Sequence, residues 1–390
     1  MASTPDSPST SRGLAGVTAG RTAICSLAGT LRYRGYDIAD LVAGNFEETA
    51  YLLLRGSLPT ATELEAFSDR IQEAARSLPP LIPELLERLA RAAPQASTMD
   101  ALRTAVSALG QLAVDNGPQM PVDQTARETQ TTIAEQLIGQ VAAALAAWVD
   151  LTNDRTPAPW PEQPLAVALL GRLRGGAITP AEAAAFDTTL ILYAEHEFNA
   201  STFAARTVTS TGADMHSAVT AAIGALKGPL HGGANEKVLQ QLGEIGSLDR
   251  VEPWLAEQLA VRRVVMGFGH RVYKQGDVRA VLLANVCREL IRTDGMAESH
   301  QQLEQLADRL EGLMLEQKGL KPNLDWPAAR VYHALGLPIS VFTPIFVVAR
   351  MSGWTAHIVE QMGDNRLIRP LSEYCGSAPR AYSMLAERST

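Results

Sequence analysis

Apolar residues recur at helical spacing through most of the chain, most densely in GQVAAALAAWV from Gly139 to Val149, and strict apolar–polar alternation is scarce. This restricts the fold to one built mainly from helices. One helix start is explicit. Thr179 can cap, Pro180 suits the first turn and Glu182 holds the reciprocal capping position, while Phe186, Leu190, Tyr193 and Glu197 trace a face that ends near His196. The exception to helix is TLRYRGYDI, where aromatic and β-branched residues around Gly35 predict a short hairpin. Four prolines between Thr152 and Pro164 mark a surface loop.

The 390 residues suggest two or three domains. A net charge of −8 without any Lys/Arg-rich run argues against nucleic acid and anionic membrane as partners, and leaves an anionic metabolite held by locally gathered arginines. Cys25, Cys287 and Cys375 are far apart and form no CxxC, which fits a reducing, cytoplasmic setting. The opening MASTPDSPST lacks a secretory apolar stretch and reads as a mobile tail. Ala334 to Ala349, interrupted by Gly336, Pro338 and Pro344, is too short to span a bilayer, which takes about 18 residues. It predicts a buried helix beginning after Pro338 and carrying Arg350 at its far end.

Three of the seven histidines stand in conspicuous contexts: His196 in EHEFNAS, His231 in GPLHGGANE and His270 in MGFGHRVYK. Glycines around His231 and His270 imply sharp turns or the close approach of another molecule. GFGHRV has Val272 where a dinucleotide fingerprint needs its third glycine, and EHE lacks HExxH spacing. A metal hydrolase built from scattered His with Asp325 is a rival that loss of activity with a chelator would reveal. His231 precedes a helix-spaced run, Ala234, Val238, Leu239 and Leu242, whose positive end disfavours imidazolium. A neutral imidazole there can donate to a carbonyl oxygen as enolate charge develops. An enol needs a base, and Asp325 in KPNLDWPAAR, a loop site beside Trp326, suits a carboxylate of raised pKa, or else a helix cap. Arg279, Arg350 and Arg369 stand where burial is expected, so each needs an anion, either an internal carboxylate or a polycarboxylate ligand.

In combination, RGYDIADLVAGNFEETAYLLLRGSLPT, EHEFNAST, GPLHGGANEKVL, MGFGHRVYK, PNLD, FTPIFVVARMSGWTAHIVEQ and RLIRP resemble the citrate synthase family in its short bacterial form. The resemblance implies an all-α homodimer. Its large helical domain would be residues 13–231 with 331–390, its smaller mobile domain 232–330, and residues 1–12 a disordered tail. It implies a catalytic triad of His231, His270 and Asp325. Asp325 would deprotonate the methyl of acetyl-CoA while His231 hydrogen-bonds the thioester oxygen; His270 would polarise the ketone of oxaloacetate, and hydrolysis of the citryl thioester would follow. Oxaloacetate carboxylates would meet His196, Arg279 and Arg350, with Arg369 arriving from the neighbouring subunit, and Lys274 would meet coenzyme A. No metal and no cofactor beyond the thioester substrate is implied. A close relative, 2-methylcitrate synthase, takes propionyl-CoA with the same residues, and a catalytically silent helical protein is a further class.

Two departures from the family pattern stand out. Val278 replaces the usual proline between Asp277 and Arg279, which removes a constraint on φ. After Asp325 the chain reads Trp326, Pro327, Ala328, Ala329 where the family commonly has Phe-Tyr-Ser-Gly, a change expected to bear on the acyl group.

Overall fold

Capping residues decide where the helices begin. Thr179 accepts from the Glu182 N–H and Glu182 accepts in return from the Thr179 N–H at 2.8 Å, so the box read in the sequence starts the Pro180–Tyr193 helix. Asn199, Asp214 and Asp277 cap Ala200–Ser210, Met215–Leu226 and Val278–Ile291 in the simpler way. The computed structural model describes residues 16–113, 124–270, 273, 276–292 and 298–388. The expected tail at 1–12 and Lys274 lie outside them.

The fold is all-α apart from a three-stranded antiparallel sheet: β1 (Cys25–Ser26), β2 (Arg32–Tyr33) and β3 (Tyr36–Asp37). The β2–β3 hairpin turns on Arg34 and Gly35, both at positive φ, as a two-residue turn matched to strand twist demands. Arg34 is held in that unusual conformation by two bonds to the Leu53 carbonyl, 2.7 and 3.1 Å long.

The core centres on two long helices, Gln124–Thr152 and Phe342–Gly363, which pack on each other. Within them, Arg127–Thr152 and, with the preceding turn, Ile339–Gly363 are long and apolar enough to cross a membrane by composition. Their apolar windows are 83% and 89% buried inside the protein, so that surface is already used by the core. The second helix corrects the sequence expectation: it continues to Gly363, and Arg350 lies near its middle. At Gly139 the first helix touches Ala61–Arg76 backbone to backbone, since a Cβ there would sit 2.1 Å from the Ile71 carbonyl oxygen. Gly139→Ala is therefore expected to lower stability by about 1–3 kcal/mol through overpacking. Thermal denaturation checks this, and an unchanged midpoint would mean the helices separate without cost.

Between residues 234 and 334 the helices pack chiefly on one another, with Asp325–Ala334 against both Ala234–Ile245 and Val278–Ile291. The boundary expected after residue 330 falls inside the Asp325–Ala334 helix. Trp326 is fully buried in this group. Its ring fills the space left by Gly267, lies 4.5 Å from the Phe268 ring and donates to Glu311 at 3.2 Å. The altered residue after Asp325 thus has a packing role. Gly267 at φ 89 serves that packing, not clearance beside His270 as expected.

Candidate active site

The site forms where three turns meet. His196 lies between the Pro180–Tyr193 and Ala200–Ser210 helices, and His231 lies in the turn between Met215–Leu226 and Ala234–Ile245. That second turn is tight because Gly232 is pressed on the Leu226 carbonyl and the Thr343 methyl, contacts that any Cβ would violate. Gly232 therefore serves close backbone packing, whereas a Cβ at Gly233 would meet open space. His270 and Asp325 are brought together by an antiparallel contact: Gly269 N–H donates to the Lys321 carbonyl and Asn323 N–H to the Gly267 carbonyl, each at 2.9 Å. Asn323 completes the link, its Nδ2 donating to the Gly269 carbonyl at 3.0 Å and its Oδ1 accepting the Asp325 N–H at 3.1 Å.

Asp325 occupies the first helical position of Asp325–Ala334, not the loop expected from its flanking prolines. It remains partly accessible while protein encloses its other sides. Burial pushes its carboxyl up to about 6, against the opposing effect of the Tyr193 hydroxyl, which donates to Oδ1 at 2.7 Å. Such a carboxylate is ionised at neutral pH yet basic enough to take a proton. Tyr193 also stacks at 4.3 Å on Phe346, which the His231 ring meets at 6.3 Å and the Arg350 guanidinium covers at 4.7 Å. One aromatic wall therefore joins Asp325, His231 and Arg350.

His231 is neutral. Burial, then the nearby Arg350 charge, lowers its pKa to about 4. The Ser201 backbone N–H points at its Nε2 at 3.3 Å, which assigns the remaining proton to Nδ1. Ser201 Oγ lies 2.8 Å from the same nitrogen and is itself held by Trp354 Nε1 at 3.1 Å. The helix N–H that meets the imidazole thus belongs to Ala200–Ser210, whereas the sequence pointed to the helix that follows His231. His196 is also driven to its neutral form, by burial first and then by Arg279, His270 and Arg350. Its ring lies 5.1 Å from that of His270, and its Nε2 is 3.1 Å from the Tyr273 hydroxyl.

The three arginines divide. Arg279, buried in the first turn of Val278–Ile291, is paired with Asp277 by bonds of 3.0 and 2.8 Å. The Asp277 cap also fixes the chain at Val278, which sits at the first helical position where proline is favoured. Arg350 is 1% exposed, makes no ion pair with any described residue, and donates from Nε to the Tyr193 carbonyl at 2.6 Å. Its Nη1 has no hydrogen-bond partner among the described residues. A buried guanidinium with a spare donor is a receptor for a carboxylate. Arg369, expected to be buried, is exposed in the segment after Gly363 and lines a cavity of about 770 Å³ with Arg366, Phe198 and Arg206. Among the described residues no three His, Cys, Asp or Glu side chains converge as a metal-binding group.

The sequence reading missed Tyr193, Tyr273, Ser201 and Asn323 as site residues. Tyr273 and Asn323 lie within the His270 and Asp325 motifs and Ser201 follows EHEFNA, but nothing local marks their partners.

Comparison with known proteins bears on the fold and the family. The family model described as citrate synthase, C-terminal domain, matches residues 13–371. The chain is 42% identical to 2-methylcitrate synthase 2 of Corynebacterium glutamicum, covering 97% of each chain, and 40% identical to citrate synthase 2 of Bacillus subtilis, covering 97% of this chain and 99% of that one. Among solved structures, the Thermoplasma acidophilum citrate synthase in ternary complex with carboxymethyl coenzyme A and oxaloacetate superposes with a TM-score of 0.88 at 32% identity, over 97% of this chain and 99% of that one.

Proposed function

The chain belongs to the citrate synthase family, and from that premise we propose that it condenses acetyl-CoA with oxaloacetate and water to give citrate and coenzyme A. The observation that carries this reading is the shared aromatic wall. A base near pKa 6, a neutral imidazole whose remaining proton is on Nδ1 and a guanidinium with an unpartnered Nη1 gather around the Tyr193–Phe346 pair. Asp325 takes a proton from the acetyl methyl, and His231 Nδ1–H stabilises the oxygen that becomes the enol. His270 polarises the ketone, which the enol carbon attacks to form the new carbon–carbon bond. Water then cleaves the thioester, releasing coenzyme A. Arg350, Arg279 and His196 hold the oxaloacetate carboxylates, and Arg369 joins them from the partner of a cytoplasmic homodimer. Lys274 takes the coenzyme A phosphates. The reaction needs no cofactor besides its thioester substrate.

A second reading, 2-methylcitrate synthesis from propionyl-CoA, is favoured by the 42% identity to a protein of that name. One methylene in an apolar pocket is worth only about 1–3 kcal/mol, so both thioesters are expected to react. Release of coenzyme A measured with each gives kcat/KM directly. The expected result is a higher value for acetyl-CoA; a preference of tenfold or more for propionyl-CoA, about 1.4 kcal/mol, would replace the first reading by the second.

A further inference from the structure

Glu195 immediately precedes His196, yet its side chain points away from solvent altogether, with 0% exposure. Its Oε1 lies 2.9 Å from His357 Nε2. Arg206 Nη1, which can only donate, faces His357 Nδ1 at 3.0 Å, so His357 keeps its proton on Nε2 and donates it to Glu195. Arg206 is in turn paired with Glu360 at 2.7 Å, and Glu360 accepts the Ala23 N–H at 2.8 Å. Along that chain every charge but one is matched. The charge left over is on Glu195, whose Oε2 has no hydrogen-bond partner among the described residues.

Arg350, Gly353 and His357 recur at helical spacing on the face of Phe342–Gly363 that meets Glu195. A Cβ at Gly353 would lie 2.3 Å from Glu195 Oε2 and 3.3 Å from Arg350 Cδ, so the missing side chain lets the carboxylate settle beside the arginine stem. Two buried, oppositely charged groups thus lie side by side, each with one orphan polar atom, and neither forms a direct pair with the other. The Glu195 charge also acts to raise the Arg350 pKa, in opposition to burial, which lowers it.

We infer that Glu195 is the resident countercharge of Arg350: it makes the buried guanidinium tolerable in the empty site without occupying the donor that receives substrate, and it weakens the grip on the bound dicarboxylate. The inference rests on the reading of Arg350 as an oxaloacetate ligand. His357 is the positioning residue of the arrangement, since it anchors Oε1 and leaves Oε2 toward the arginine. Buried like charges without a mediating pair raise the free energy of the bound anion, whereas the same carboxylate lowers that of the empty protein.

Glu195→Gln separates these effects, because the amide oxygen still accepts from His357. The expected result is a lower melting temperature for the empty protein together with oxaloacetate binding tightened by about three- to tenfold in calorimetric titration. Glu195→Asp, which keeps the charge, should return the affinity toward that of the wild type. Weaker or unchanged binding by Glu195→Gln would overturn the inference, since a purely structural role predicts one or the other. Failure of the wild type itself to bind oxaloacetate would instead overturn the reading of the site. If Glu195→Gln does not fold, the double variant with Arg350→Gln is expected to recover a cooperative melting transition, because both unmatched charges are gone. A double variant that also lacks a cooperative transition would refute the coupling.

Discussion

Asp325→Asn is expected to lower kcat by about a thousandfold, the scale of a positioned general base, while oxaloacetate still binds. The amide keeps the oxygen that accepts the Tyr193 hydroxyl, so the enclosure survives and only the proton acceptor is lost. Steady-state turnover with a parallel binding titration checks both halves, and turnover within tenfold of the wild type would remove Asp325 from the role of base. The same substitution has an opposite effect on stability. The folded-state pKa, about 6, is raised above the ordinary value of 3.8, so this group favours folding fully at pH below the ordinary value and that contribution is lost as pH rises through 6. At pH 7 to 8 the variant should be the more stable by about 1–2 kcal/mol, allowing for screening by solvent in the cleft, and the two proteins should converge near pH 3. Activity of the wild type should accordingly fall as pH drops through 6.

His231→Ala is expected to reduce kcat by about 10²–10³, the scale of one lost oxyanion donor, with oxaloacetate affinity changed less than threefold. The prediction follows from the tautomer. Ser201 N–H occupies Nε2, so the single remaining proton on Nδ1 is the one available to the thioester oxygen. With a pKa near 4, the imidazole is already neutral throughout the working range, and the acid limb of the pH profile belongs to Asp325. A limb in kcat near pH 4 to 5 with none near 6 would reverse that assignment. Rapid-mixing measurements of a single turnover separate loss of chemistry from slow product release.

These predictions draw on features that differ in how far the sequence revealed them. Helix starts were legible because capping is local: Thr179 and Glu182 are three residues apart and bond to each other. The hairpin at Gly35 was legible for the same reason. The end of the Phe342–Gly363 helix was not, since Arg350 closes the apolar stretch in the sequence, and its burial beside Glu195 in mid-helix depends on a residue distant in the chain. His231, His270 and Asp325 could be named together only through the family resemblance, because their contexts alone were equally compatible with turns and caps. Tyr193 and Asp325 bond across 132 residues, and no spacing rule connects them. Arg279 and Arg350 looked alike in the chain. What separates them is Asp277, whose carboxylate closes on the first and leaves the second open. Arg369 is exposed in the single chain because it lies in the non-helical stretch after Gly363, which the apolar pattern upstream did not foretell.

The most direct test of the account is a crystal structure of this protein with oxaloacetate and carboxymethyl coenzyme A, a thioether that cannot be turned over. The account predicts that Asp325 and His231 Nδ1 flank the carboxymethyl group within about 3.2 Å, with His270 on the ketone oxygen and Arg350 Nη1 on an oxaloacetate carboxylate. Ligands held elsewhere, or a closed cleft in which His231, His270 and Asp325 stay in separate regions, would contradict it.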